Sequence, residues 1–227
     1  MANVSGKAYG LTILSPIKAG HEAQRGFADI VRDRLIDWGV DSNSPMAKVP
    51  NTYLCRFFVL DDVYSQSLAA GDFYYTFTSF LSLFSKRIRM GALAREDHLK
   101  SKYLVFSTNF HGELDDYLRG MWQHAEREIR HVWQYCWAFD QVKDADSFIA
   151  YMKKCQLDTT LFFVGSNDES LAEQLKGLYL KQELTRFAAE HQGLPAKELQ
   201  QAYREFIKRV EPANLAGPSW VPGQTSV

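Results

Sequence analysis

Residues 53–60 (YLCRFFVL) and 102–110 (KYLVFSTNF) read as neighbouring antiparallel strands, yet residues 61–101 separate them. A plain hairpin needs only about two to five residues between its strands. At the centre of this insertion lies an aromatic run, residues 73–84 (FYYTFTSFLSLF). So much apolar surface must be covered by the chain's own domain, by another subunit or by lipid. The chain is therefore expected to be a small sheet-based fold carrying an added interaction device.

The remaining periodicities supply that sheet with partners. Residues 9–17 (YGLTILSPI) form an apolar run closed by Ser-Pro and read as a strand. From Gly20 to Trp38, Phe27, Ile30, Val31, Leu35 and Trp38 recur at helical spacing, and Gly39 ends the helix. A long helix is expected over 113–136, with Glu113, Asp115 and Asp116 in its first turn complementing the helix dipole. A shorter helix follows over 144–156, then a strand over 159–164 (TTLFFV). The order is β-α-β-β-α-β, a ferredoxin-like α+β pattern with both crossover helices on one face of an antiparallel sheet. A single domain is expected: a core at 5–63 and 101–165, the insertion at 64–100, helices within 166–210, and an extended tail at 211–227 holding three prolines.

Bulk composition narrows the function classes. A chain of 227 residues with 46% apolar and 23% charged residues can bury a sizeable core. Its net charge of −1 gives no electrostatic case for a nucleic-acid partner. The three cysteines, Cys55, Cys136 and Cys155, make no CxxC pair and read as buried thiols of a reducing compartment. The N-terminal residues show no basic stretch leading into an apolar one, and no run is long enough to span a bilayer. The expected location is the cytoplasm, with membrane association through the insertion left open. P-loop, Gly-x-Gly-x-x-Gly and Gly-x-Ser-x-Gly patterns are absent, which disfavours ATP, NAD and triad-hydrolase chemistry and leaves open whether the chain is an enzyme.

The segments YLCRFFVLDD, LVFSTNFHGELDDYL and VWQYCWAF resemble a group of uncharacterised bacterial proteins of the dimeric α+β barrel superfamily. That superfamily also holds antibiotic-biosynthesis-type monooxygenases and haem-binding folds. The resemblance spans residues 5–63 and 101–165 and implies a ferredoxin-like domain that dimerises through its sheet, with haem as a cofactor some members carry. His111 and the pair Trp137-Ala138 depart from the group's pattern, as does the long insertion.

Two sets of residues are candidates for ligand chemistry. Beside the apolar stripe of the long helix runs a second row: Tyr117, His124, Glu128, His131 and Tyr135. Imidazole ligates iron or zinc, and a neighbouring carboxylate orients it. His124 and His131 would stand about 10.5 Å apart along the axis, too far to share one metal ion. His131, one turn from Glu128 and Tyr135, is the expected axial ligand if haem binds. The ordinary alternative for this row is a packed helix edge. Arg56 is the second candidate. By alternation it shares a strand face with Leu54, Phe58 and Leu60, where a guanidinium must find a carboxylate or hold an anionic ligand. Thr12, Ser107 and Asn109 are polar strand positions that could line the same cavity.

Within the insertion, Phe73, Tyr74, Phe77, Phe80 and Phe84 are followed by Lys86, Arg87 and Arg89. This composition suits a subunit interface, a folded-back cover or an anionic lipid surface. The expected function is an oligomeric α+β-barrel-type protein binding a small apolar or haem-like ligand, possessing oxidoreductase character if haem is held. The alternatives are a non-catalytic accessory protein, with the insertion as its contact surface, and a peripheral membrane protein.

Overall fold

The computed structural model describes residues 3–40, 44–63, 99–165 and 169–221. The chain is α+β, with a four-stranded antiparallel sheet and five helices among the described residues. The strands are β1 (Val4–Ser5), β2 (Ala8–Pro16), β5 (Thr52–Leu60) and β6 (Tyr103–His111), in the order β1-β2-β6-β5. A separate hairpin pairs β3 (His21–Glu22) with β4 (Arg25–Gly26). The helices are α1 (Phe27–Val40), α2 (Leu114–Trp133), α3 (Ala145–Cys155), α4 (Leu171–Glu190) and α5 (Ala196–Val210).

The expected pairing of the two strands flanking the insertion is present: β5 and β6 lie side by side, from Thr52 opposite Phe110 to Leu60 opposite Tyr103. The neck between them is fixed. Asp61 pairs with Arg32 at 2.7 Å and with Lys102 at 2.8 Å. Asp62 Oδ1 accepts from the Val63 amide at 2.8 Å and the Leu99 amide at 2.9 Å, which draws the two ends of the insertion together. Phe73, Tyr74, Phe77, Phe80, Phe84, Lys86, Arg87 and Arg89 lie outside the described residues.

Alternation divides the sheet into two faces. Leu11, Ile13, Leu104, Phe106 and Phe110 are fully buried and join Val31 of α1 and Leu118, Met121, Ile129 and Trp133 of α2 in one core. Cys55, Phe57 and Val59 pack against this core from β5. Phe57 stacks on Phe106 at 4.5 Å and meets Trp133 edge-on at 5.9 Å. The Trp133 indole N–H is satisfied by Ser15 Oγ at 3.1 Å. Both α1 and α2 pack on this face, while α3 packs on α2 and on β2. Asp144 caps α3 with a reciprocal capping box to Ser147, and Ser170 with Glu173 does the same for α4.

Two expected elements differ. Residues 159–164 form no strand; the sheet's fourth strand is β1, turned back onto β2 at Gly6, whose φ is 60°. β1 occupies the edge of β2 at Ala8 and Tyr9. Further along, residues 156 and 157 meet that edge through the Ile13–Gln156 bridge and the Leu157 amide on the Thr12 carbonyl, and the Trp137 amide takes the Pro16 carbonyl. The TTLFFV stretch then leaves the ladder, and Leu161 and Phe163 stand 82% and 77% exposed. The first helix begins at Phe27 rather than near Gly20, because Ala23 and Gln24 adopt positive φ and fold 21–26 into a two-residue hairpin.

Beyond the sheet domain's core, α4 and α5 pack as a helical pair around a second cluster of Phe187, Phe206 and Val210. Lys176 is buried there and donates from Nζ to the Val210 and Pro218 carbonyls, each at 2.7 Å. Glu183, also buried, pairs with Arg186 at 2.7 Å and with Arg209. Residues 211–221 run in turns rather than the extended form expected, and the rest of the expected tail, 222–227, lies outside the described residues. No helix among the described residues is long and apolar enough to cross a membrane.

Candidate functional site

The residues expected to line one helix edge are distributed to separate places. Ala125 has non-helical backbone angles, φ −139° and ψ 23°, so α2 is broken at its middle and no continuous row spans it. Tyr117, near the start, is turned into the core. Its ring stacks on Phe110 at 3.9 Å, and its hydroxyl lies 3.1 Å from both Thr52 Oγ1 and Thr108 Oγ1. Burial pushes this phenol up to about 12, against the smaller opposing effect of the two threonines. His124 is exposed and donates from Nδ1 to the Gly120 carbonyl at 2.8 Å. Tyr135 lies past the end of α2 and is buried. Its hydroxyl donates to Glu22 Oε2 at 2.7 Å and accepts from Arg34 Nη2 at 3.0 Å, tying the 21–26 hairpin to the helix end.

Glu128 and His131 do share a space, a groove of about 940 Å³ beside the second half of α2. Arg34, Asp37 and Trp38 of α1 and Phe139, Asp140, Val142 and Lys143 form its other walls. His131 is held below its ordinary range by partial burial, then by the positive charges of Arg34 and Arg127, with Asp37 opposing. Charged side chains dominate the lining, with Trp38, Pro45, Phe139 and Val142 as the apolar contribution. A macrocycle needs two broad apolar walls over its faces, and this groove does not fit one with His131 as axial ligand. Among the described residues, no three His, Cys, Asp or Glu side chains lie together in a set able to hold a metal ion. The cysteines offer no activated nucleophile either: burial pushes the thiols of Cys55, Cys136 and Cys155 up.

The second candidate set is drawn together by the strand register. Thr12 of β2 lies opposite Ser107 of β6, and Ser107 lies opposite Arg56 of β5. The three form one row straight across the sheet, on the face away from the helices. The adjacent row is apolar: Leu14, Val105 and Phe58. On the other side, Asn109 stands between Gly10 and Leu54. The Phe162 ring fills the space over Gly10, where any Cβ would meet it at 2.7 Å. Arg56 is exposed, and no carboxylate among the described residues pairs with it. Leu54 and Phe58, on the edge strand β5, are 47% and 48% exposed. The arrangement is a cation and two hydroxyls beside an apolar row that runs from buried Val105 to half-exposed Phe58.

Sequence reading anticipated this face through alternation but missed the groove. Arg127, Arg130, His131 and Gln134 of α2 recur at spacings of three, one and three, which places them on one side of a helix. That polar stripe was the available signal. No family model, no curated protein and no solved structure matches the chain.

Proposed function

We propose that this chain is a binding protein that pairs with a second copy through the sheet face bearing half-exposed Leu54 and Phe58, and holds an apolar, anionic molecule against Arg56. The observation that carries this reading is the row Arg56–Ser107–Thr12 embedded between apolar strand positions. A lone guanidinium there is costly to desolvate without an opposite charge. A carboxylate or sulfonate group would supply that charge and accept from the guanidinium fork, while Ser107 and Thr12 hydroxyls complete its hydrogen bonds. The flanking Leu14, Val105 and Phe58 would receive the apolar body. Two sheets packed face to face, about 10 Å apart, would enclose such a molecule. This is the arrangement of a ferredoxin-like α+β barrel, and it makes the protein a carrier or sensor rather than a catalyst with a fixed reaction.

Titration with anilinonaphthalene sulfonate, an anionic aromatic probe, tests the reading. Wild type is expected to bind saturably. Arg56→Met keeps the side chain's length and removes its charge, and should weaken binding about tenfold or more. A neutral naphthalene probe should bind both proteins alike. Equal affinity of the anionic probe for wild type and Arg56→Met would overturn the assignment of Arg56.

A further inference from the structure

On the opposite side of the sheet, the groove holding His131 carries a charge pattern that the sheet-face reading does not use. Five permanent cations line it: Arg34, Lys48, Arg127, Arg130 and Lys143. Three carboxylates oppose them: Asp37, Glu128 and Asp140. Of these, Asp140 is turned toward Lys18 at 3.6 Å, outside the lining.

Two of the cations are held in place by uncharged acceptors. Arg34 donates from Nη1 to the His131 carbonyl and from Nη2 to the Tyr135 hydroxyl, both uncharged acceptors. Its guanidinium also lies 4.8 Å over the Tyr135 ring. Arg130 spans the groove wall, donating to the Val142 and Lys143 carbonyls at 3.0 and 2.9 Å, and keeps Glu126 as its only carboxylate partner among the described residues. Arg127 and Lys48 are exposed and form no ion pair among the described residues. Held donors at the wall and free ones at the rim are what a multiply charged anion requires: low ordering cost at the first and adaptability at the second.

We infer that this groove binds a small polyanion carrying two or more phosphate groups, gripped by Arg127 and Lys48 and oriented by Arg34. A single carboxylate would gain too little against Asp37 and Glu128, whereas a chain of phosphates reaches several cations at once. His131 sits among the charges that face such a ligand. Arg34 and Asp37 approach it from α1, and Arg127 and Glu128 from its own helix. An anion bound there would offset the positive neighbours and move the imidazole back up.

Calorimetric titration with sodium tripolyphosphate, at fixed ionic strength, decides the matter. Saturable binding with one ion per chain is expected for wild type. Lys48→Gln/Arg127→Gln should bind about tenfold or more weakly, with an unchanged unfolding midpoint, since both side chains are exposed and neither is paired among the described residues. Lys197→Gln/Lys208→Gln removes the same net charge from α5 and should bind as wild type. The His131 imidazole, followed by NMR, should titrate at higher pH when the anion is present. The inference is overturned if wild type shows no saturable binding, if both double variants lose affinity equally, or if the His131 titration is unmoved at saturation.

Discussion

Tyr117 shows how one residue changes meaning between sequence and structure. Its position on the helix grouped it with polar neighbours, but the hydroxyls of Thr52 and Thr108 give its phenol a place inside the core. Periodicity cannot register such partners, because they come from two distant strands. The consequence is measurable. Tyr117→Phe leaves two hydroxyls, buried Thr108 and half-buried Thr52, with one partner fewer, and is expected to cost about 1–2 kcal/mol in chemical denaturation. No loss would mean that the threonines find equal partners without it. The phenol's folded pKa, about 12, lies above its ordinary value of 10.0. Its neutral form therefore contributes fully below pH 10.0, and that contribution is lost as pH rises toward about 12. In Tyr117→Phe, this part of the alkaline destabilisation should disappear. Arg56 is the opposite case. Strict alternation placed it with Leu54 and Phe58, and the strand register carries that row on to Ser107 and Thr12.

At the scale of elements, the central strands and the last three helices were legible because each carries its own signal. Long apolar alternation marks β2, β5 and β6, and capping boxes mark α3 and α4. The failures are elements whose cause is not local. β1 has only Val4 and Ser5, too short for any pattern, and exists because Gly6 permits the turn. Residues 159–164 have a strand's composition, yet most of the β2 edge has other partners. The turn of the 21–26 hairpin is Ala23-Gln24, without the glycine or asparagine that usually announces such a turn. In the helical pair, Lys176 holds the last turn of α5 and the chain beyond it by two carbonyls. Lys176→Met should release that attachment, costing about 1–3 kcal/mol. Amide exchange should quicken across 196–221 while the sheet amides stay protected, since the two apolar clusters share no residue. Uniform acceleration throughout the protein would show instead that both clusters unfold as one.

The whole molecule is asymmetric about its sheet. One face is closed by α1 and α2, with Phe106 and Trp133 fully buried between them. The other leaves Leu54 and Phe58 half exposed around Arg56, which has no ion pair among the described residues. A face of this composition is expected to pair with its own copy by a two-fold axis, because the patch is then complementary to itself. Phe58→Glu places like charges across such an axis. In a single chain the same change should alter stability little, within about 0.5 kcal/mol, since the side chain is half in water. The most direct measurement is therefore sedimentation equilibrium of wild type and Phe58→Glu over a range of concentrations. A wild-type mass of twice 26.0 kDa and a variant mass of 26.0 kDa, with both proteins folded, is the predicted result. A wild type that remains at 26.0 kDa at every concentration, or a variant that dimerises equally well, would contradict pairing through this face.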